Sequence, residues 1–201
     1  MLDLLLPKRC AFCRKVTPGG LCDACQKTLP WRSEPYDGTV AAPLSYRGPV
    51  RLALHRYKFR GASGCAGIFG KLMAQAVADA RLNPGIVTWV PCSFARRWTR
   101  GYDQARKLAK RVCAELGLPL ERMLRKTRHT RSQTKMPDEA ARRVNVKGAF
   151  AVLAKKSSAA GKHILLVDDI RTTGATLDEC KRLLLEAGAE SVVCCVVAAK
   201  G

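Results

Sequence analysis

The sequence HILLVDDIRTTGAT, residues 163–176, decides the fold and indicates a ligand. Its apolar first half predicts a buried strand that ends at the adjacent carboxylates Asp168 and Asp169. A loop of hydroxyls and glycine follows, and helical apolar spacing from Leu177 then predicts a helix whose N-terminus offers free N–H groups to an anion. The two halves suit a ligand with vicinal hydroxyls at one end and a phosphate at the other, such as ribose 5-phosphate. The alternative is a capping turn in which Asp169 and Thr172 only satisfy the helix end.

Similar apolar runs alternate with helical segments along the rest of the chain. We predict strands at 40–46, 86–91, 150–153, 163–167 and 191–198, with helices at 49–57, 63–82 and 103–116 between them. This alternation predicts an α/β fold with a mostly parallel sheet flanked by helices. In such sheets ligands bind at the carboxyl ends of the strands.

A cysteine pattern near the N-terminus predicts a metal site. Cys10, Cys13, Cys22 and Cys25 form two Cys-x-x-Cys pairs, a spacing typical of tetrahedral, structural zinc. Redox chemistry and coincidence are the alternatives. Pro30 to Pro35 then forms a linker, so we expect a small zinc module at residues 1–35 and the α/β domain at residues 36–201.

The chain is strongly basic. It carries 36 Lys and Arg against 16 Asp and Glu, a formal net charge of +20, and residues 96–147 hold sixteen of these basic residues against five acidic ones. Such a field favours polyanions, although a solvated basic face is the alternative. No run approaches the roughly 18 apolar residues of a membrane span, and residues 1–7 lack the features of a signal peptide. We therefore expect a cytoplasmic protein without a membrane span.

Two basic segments are candidate anion-binding regions. The first follows the strand at 86–91 and contains Arg96, Arg97 and Arg100, which suit a pyrophosphate or a nucleic-acid backbone. The second, residues 124–137, is polar and poorly periodic, and we expect a mobile lid there. The alternatives are a solvated basic loop for the first segment and charged disorder for the second.

The run at 163–176 resembles the signature of the type I phosphoribosyltransferases. The resemblance implies that Asp168 and Asp169, as the catalytic pair, hold the ribose hydroxyls of phosphoribosyl pyrophosphate with its Mg²⁺, and that residues 172–176 surround the 5-phosphate. The segment after the strand at 86–91 corresponds in position to the pyrophosphate-binding segment of these enzymes. The resemblance therefore adds Arg100 to the implied binding residues. The implied substrate-binding set is Asp168, Asp169, Thr172, Thr173, Gly174, Ala175, Thr176 and Arg100.

Motif order along the chain narrows the resemblance to the ComF family of competence-associated, phosphoribosyltransferase-like proteins. The paired Cys-x-x-Cys, then YKFRG at 57–61, RGYDQA at 100–105, RSQT at 131–134 and RRVNV at 142–146 precede the signature in the family's order. Asp103 departs from the asparagine more usual there, and we assign it no ligand role. Membership implies a type I phosphoribosyltransferase fold and a part in natural transformation, the uptake of DNA.

The sequence is compatible with three functions. The first is phosphoribosyl transfer to an unidentified acceptor, since no aromatic cover for a base follows the signature. The second is single-stranded DNA binding, with base stacking by Trp98, Tyr102, Tyr57 or Phe59. The third is a zinc-stabilised adaptor that docks onto other competence proteins and keeps a non-catalytic phosphoribosyl site. The candidate nucleic-acid-binding residues are Arg96, Arg97, Arg100, Tyr102, Arg125, Arg128 and Arg131.

Overall fold

The computed structural model describes residues 8–59, 62–128, 130, 139–153 and 159–200. Most of the expected lid, including Arg131, lies outside these residues. So do the side chains of Arg96 and Arg100, whose backbone is described.

A four-stranded parallel sheet forms the centre of the fold. Its strands are ordered β1 (Val40–Ala41), β8 (Ser191–Cys195), β6 (His163–Val167) and β3 (Ile86–Trp89). Their side chains are almost all buried, as expected for a parallel sheet covered on both faces. The prediction of a mostly parallel α/β fold is confirmed.

A second parallel sheet continues from the first and lies at its carboxyl end. It has the order β2 (Leu44–Ser45), β9 (Ala198–Ala199) and β7 (Ile170–Arg171). The expected single strands at 40–46 and 191–198 are therefore each divided between two sheets. Pro43 interrupts the first of these because it has no N–H to donate to a ladder.

The remaining elements flank these sheets. Strands β4 (Leu124–Lys126) and β5 (Phe150–Val152) form an antiparallel pair. The helices are α1 (Asp23–Thr28), α2 (Gly48–Phe59), α3 (Ala66–Asp79), α4 (Phe94–Arg100), α5 (Gln104–Leu116), α6 (Glu139–Val146) and α7 (Ala175–Glu186), and a 3₁₀ turn (Ser63–Cys65) precedes α3. Alternate residues of β6 divide between two cores, Leu165 packing with α2, α3 and α5, and Ile164 and Leu166 packing with α7 and the β4–β5 pair.

Helix α4 corrects the expectation of a basic loop after β3. The segment from Phe94 to Arg100 contains no glycine or proline, and the Arg97 N–H donates to the Ser93 carbonyl at 3.0 Å. Gly101, with φ of 75°, follows directly after the helix. The Arg97 side chain therefore projects from a helix and not from a loop.

The cysteine-rich N-terminal segment packs against the α/β domain. Phe12 meets Phe69 of α3 edge to face at 5.8 Å between ring centroids. Arg56 of α2 donates to the carbonyl oxygens of Ala11 and Phe12 at 2.9 and 2.6 Å. The zinc module therefore shares one core with α2 and α3, and the division of the chain at residue 35 stays a prediction.

Candidate functional site

A cavity of about 450 Å³ opens at the carboxyl ends of β3 and β6. This volume is within the range of small-molecule sites. One wall is the face of α2 that carries Arg51, His55, Lys58 and Phe59, and the lining also includes Lys126 and Phe150. The floor contains residues 90–92, 168–172, 174 and 176. The cavity therefore contains most of the predicted phosphoribosyl site.

Asp168 and Asp169 lie where the chain passes from the first sheet to the second. The Asp168 N–H donates to the Cys195 carbonyl at 3.0 Å, and the Val197 N–H donates to the Asp169 carbonyl at 3.1 Å. The Asp168 carboxylate accepts the Asp169 N–H at 2.8 Å. Backbone pairing with residues 195–197 therefore fixes both carboxyl groups at the cavity floor.

Lys58 of α2 forms an ion pair with Asp169, and sequence reasoning missed this contact. Its Nζ atom lies 2.8 Å from Asp169 Oδ1, and the Asp169 side chain is 11% exposed. Burial, followed by the nearby Asp169 charge, raises the pKa of Asp168 to about 8, and Lys58 offsets part of this rise. Asp168 keeps some exposed surface although its carboxyl group is desolvated. A divalent cation at this pair would favour ionisation of both carboxyl groups, which are suitable oxygen ligands for Mg²⁺.

The loop from Thr172 to Gly174 leads into α7 and so lies at a helix N-terminus, where free N–H groups can receive an anion. Gly174 caps the helix with φ of 85°, and a β-carbon there would lie 3.3 Å from the Asp178 carboxylate. The Thr173 hydroxyl is buried without a hydrogen-bond partner among the described residues. Buried polar groups are normally paired, but Thr173 is not among the residues that line the cavity, where Thr172, Gly174 and Thr176 are. Ala175, also predicted in this set, is buried at the first position of α7.

Arg171 at the cavity floor is held by the segment that follows the zinc module. Its Nη1 atom lies 3.2 Å from Asp37, which also pairs with Arg32 at 3.3 Å. Burial acts to raise the pKa of Asp37, but hydrogen bonds from Thr39 and Val40, together with the Arg171 charge, lower it to about 2. Asp37 is thus ionised at neutral pH, and it orients an arginine of the signature.

Exposed aromatic rings extend the basic surface on α4. Phe94 is 70% exposed, Trp98 is 79% exposed, and their rings stack at 6.2 Å. The Arg97 guanidinium lies 5.6 Å from the Phe94 ring centroid. Sequence reasoning missed Phe94, although its i, i+4 spacing from Trp98 is a helical signal.

The other predicted nucleic-acid-binding residues have different surroundings. The Tyr102 hydroxyl donates to the Tyr57 carbonyl, so its ring is held against the core. Tyr57 is fully buried, and the expectation that it stacks on bases is wrong. Arg125 is exposed on β4, and Arg128 donates to the carbonyls of Asn145 and Lys147 at the end of α6. The roles predicted for Tyr102, Arg125 and Arg128 stay predictions.

Asp103 has a structural role next to the cavity. Its carboxylate accepts the Arg106 N–H at 3.0 Å, which caps α5, and the Cys92 N–H at 3.4 Å. It thereby joins the start of α5 to the cavity floor.

The four predicted zinc ligands form one cluster. Their sulfur atoms all lie within 4.8 Å of one another, and a tetrahedral zinc site with Zn–S distances of about 2.3 Å separates its sulfurs by about 3.8 Å. Burial acts to raise the pKa of Cys10, but hydrogen bonds from the backbone of Cys13, Cys22 and Phe12 lower it to about 6. The four cysteine sulfurs therefore fit a structural zinc site in which the protein supplies every ligand.

Comparison with known proteins agrees with both parts of the molecule. Residues 1–53 match a double zinc ribbon domain, and residues 100–201 match a phosphoribosyl transferase domain. DNA utilization protein YhgH of Salmonella typhi is 30% identical over 178 residues, covering 85% of this chain and 74% of that protein. The chain belongs to the ComF family. Its ComF relatives also include Competence protein F of Haemophilus influenzae, 29% identical with 92% of this chain and 93% of that protein covered.

A third ComF relative extends the comparison to Streptococcus pneumoniae. Its Competence protein ComFC is 29% identical, with 92% of this chain and 78% of that protein covered. The protein is thus a competence-related, phosphoribosyltransferase-like member of the ComF family with a structural zinc site. Among the described residues, no helix is long and apolar enough to span a membrane.

Proposed function

We propose that this protein binds phosphoribosyl pyrophosphate with Mg²⁺ and handles single-stranded DNA in natural transformation. The observation that supports the ligand is one cavity whose lining contains the Asp168–Asp169 pair together with Thr172, Gly174 and Thr176. The ligand presents vicinal hydroxyls to the carboxylates and a phosphate to the loop.

Each residue has a defined part in this proposal. Asp168 and Asp169 accept hydrogen bonds from the ribose 2′- and 3′-hydroxyls and are the catalytic pair, because they hold the reacting sugar. Residues 172–176 surround the 5-phosphate at the N-terminus of α7. Arg100 neutralises the pyrophosphate, whose leaving-group charge Mg²⁺ also stabilises when it is bound.

The DNA part of the proposal is supported by a different surface. The stacked Phe94 and Trp98 rings are exposed beside Arg97, in the most basic part of the chain. Aromatic platforms within a positive field bind single strands with little sequence preference. The relatives named as competence and DNA utilization proteins support the same assignment, with other competence proteins as partners.

Calorimetric titration tests the ligand site directly. Phosphoribosyl pyrophosphate with Mg²⁺ is titrated into wild type, the Asp168→Asn/Asp169→Asn double variant, and the control Asp79→Asn, whose exposed carboxylate lies on α3 outside the cavity lining. Each lost charged hydrogen bond costs about 1.5–3 kcal/mol, so the double variant should bind at least about a hundredfold more weakly. Asp79→Asn should bind like wild type.

Two results would contradict the proposal. The first is equal affinity in wild type and the double variant. The second is no binding by a folded wild type with its full zinc content, which would favour the adaptor role.

A further inference from the structure

Part of the cavity lies beyond the groups proposed to hold the ribose and its 5-phosphate. Residues 51, 55, 58 and 59 of α2 all line it, because spacings of three and four place them on one face of a helix. This wall precedes the signature by more than one hundred residues. The α2 wall and the signature are therefore distant parts of the sequence that the fold brings to the same cavity.

The wall presents an aromatic surface. The His55 and Phe59 rings lie 4.8 Å apart between centroids at an interplanar angle of 44°, and Phe59 is 57% exposed. An apolar ring exposed in a cavity favours a flat ring as its ligand, because stacking removes the ring surface from water. Cover for a base, which does not follow the signature in the sequence, is present here on α2.

The same wall carries positive charge and no carboxylate. Helix α2 contains no Asp or Glu, and Arg51 is exposed and forms no ion pair within the described part of the chain. Lys58, in contrast, is already paired with Asp169. A guanidinium at a cavity wall matches the geometry of a phosphate group.

We infer that the second ligand of this cavity, bound beside phosphoribosyl pyrophosphate, is a nucleotide. Its base stacks on the His55–Phe59 pair, and its phosphate binds Arg51. This inference rests on the proposed function, since it names a second ligand of the same cavity. A neutral nucleobase would use the rings but offer no phosphate to Arg51, which could then pair only with the pyrophosphate.

Titrations of small ligands test the inference. Deoxyadenosine 5′-monophosphate (dAMP), deoxyadenosine and a short oligodeoxyadenylate are each titrated into protein preloaded with Mg²⁺ and phosphoribosyl pyrophosphate. The variants are Arg51→Gln and Phe59→Ala. The controls are Lys71→Gln, an exposed cation of α3, and Leu52→Ala, an exposed apolar residue of α2, neither of which lines the cavity.

We expect wild type to bind dAMP at least tenfold more tightly than deoxyadenosine. Arg51→Gln should abolish this preference without changing the affinity for deoxyadenosine, whereas Phe59→Ala should weaken both ligands severalfold. The controls should match wild type, and all variants should bind phosphoribosyl pyrophosphate within about twofold of wild type. If Arg51→Gln and Phe59→Ala weaken the oligonucleotide as they weaken dAMP, the nucleotide is a unit of a strand. If neither variant changes binding of the oligonucleotide, the ligand of the cavity is a free nucleotide.

Failure of the inference is distinct from failure of the proposed function. If phosphoribosyl pyrophosphate binds and dAMP does not, the nucleotide inference is overturned while the proposed function stands. If Arg51→Gln weakens phosphoribosyl pyrophosphate and dAMP equally, Arg51 serves the pyrophosphate and the inference is again overturned. If phosphoribosyl pyrophosphate itself does not bind, the proposed function is overturned.

Discussion

Lys58 is the residue that most changes the chemistry of the cavity floor. Its ammonium lies 2.8 Å from Asp169 and offsets part of the rise in the pKa of Asp168, which reaches about 8. Mg²⁺ and the ribose hydroxyls both favour ionised carboxylates. The affinity for phosphoribosyl pyrophosphate should therefore increase as the pH rises from 7 to 9.

Replacement of Lys58 by Gln should shift this pH dependence. Loss of a positive charge beside the pair raises the pKa of Asp168 further, on the order of one unit for a neighbouring charge. The increase in affinity then occurs at higher pH, which calorimetry between pH 7 and 9 measures, and carboxyl ¹³C titration reports the pKa. Lys162→Gln, which removes an ion pair to Glu121 on another surface, is the control. An unchanged Asp168 titration in Lys58→Gln would contradict the assignment.

At the residue scale, the sequence predicts what local spacing encodes. Asp168 follows an apolar strand, and Cys10 belongs to a Cys-x-x-Cys pair, so both stand out in short windows. Lys58 does not stand out in a short stretch of sequence. Its role depends on Asp169, which comes close to it only because α2 packs over the sheet. Tyr57 is the opposite case. It lies beside basic residues in the sequence, which suggests base stacking, but it is buried in the core.

At the element scale, α4 carries both of the interactions that we propose for single-stranded DNA. The aromatic pair supplies stacking, whereas Arg97 supplies charge. Stacking contributes about 1–3 kcal/mol per base. Phe94→Ala/Trp98→Ala should therefore lower the affinity for single-stranded DNA at least about tenfold, without changing how that affinity depends on salt. Arg97→Gln should instead reduce the magnitude of the slope of log K against log salt by about 0.7.

Fluorescence anisotropy of a labelled oligonucleotide at several salt concentrations measures both effects. Leu185→Ala, which removes an exposed apolar side chain from α7, serves as the matched control. Wild-type affinity in the double aromatic variant would place the DNA on a different surface.

Element boundaries show where periodicity is insufficient. The strand at 163–167 is predicted to the residue, since its apolar run ends in carboxylates. The run at 191–198 is equally apolar, yet it contributes strands to two sheets. Between these two strands, the Val196 N–H donates to the Ala41 carbonyl and the Val197 N–H donates to the Asp169 carbonyl. Hydropathy reports burial and not the partner of a strand, so the division into two sheets was not predictable.

At the scale of the whole molecule, α2 connects the zinc module to the cavity. Arg56 donates to carbonyls beside the cysteine cluster, and two residues later Lys58 meets Asp169. Zinc contributes folding free energy to small modules of this kind. Loss of zinc should therefore weaken ligand binding, although no zinc ligand lines the cavity.

Metal removal provides the corresponding test. A zinc-selective chelator, or Cys10→Ser, should lower the unfolding temperature by several degrees, with a loss of stability on the order of several kcal/mol. Affinity for phosphoribosyl pyrophosphate should fall severalfold in the same samples and return when zinc is restored to the chelated protein. Thermal unfolding and calorimetry, with zinc content measured in each sample, provide the readouts. Unchanged affinity in zinc-free, folded protein would show that α2 is positioned without the metal.

The order of strands also bears on how the protein is made. β8 and β9 lie in the interior of their sheets, between partners that are all synthesised earlier. β3 and β6 can pair as soon as both have left the ribosome, whereas β1 and β2 receive their parallel partners only with residues 191–199. Pairing over such sequence separations is slow and leaves apolar edges open meanwhile. We therefore expect the nascent chain to be most prone to aggregation before residues 191–199 emerge.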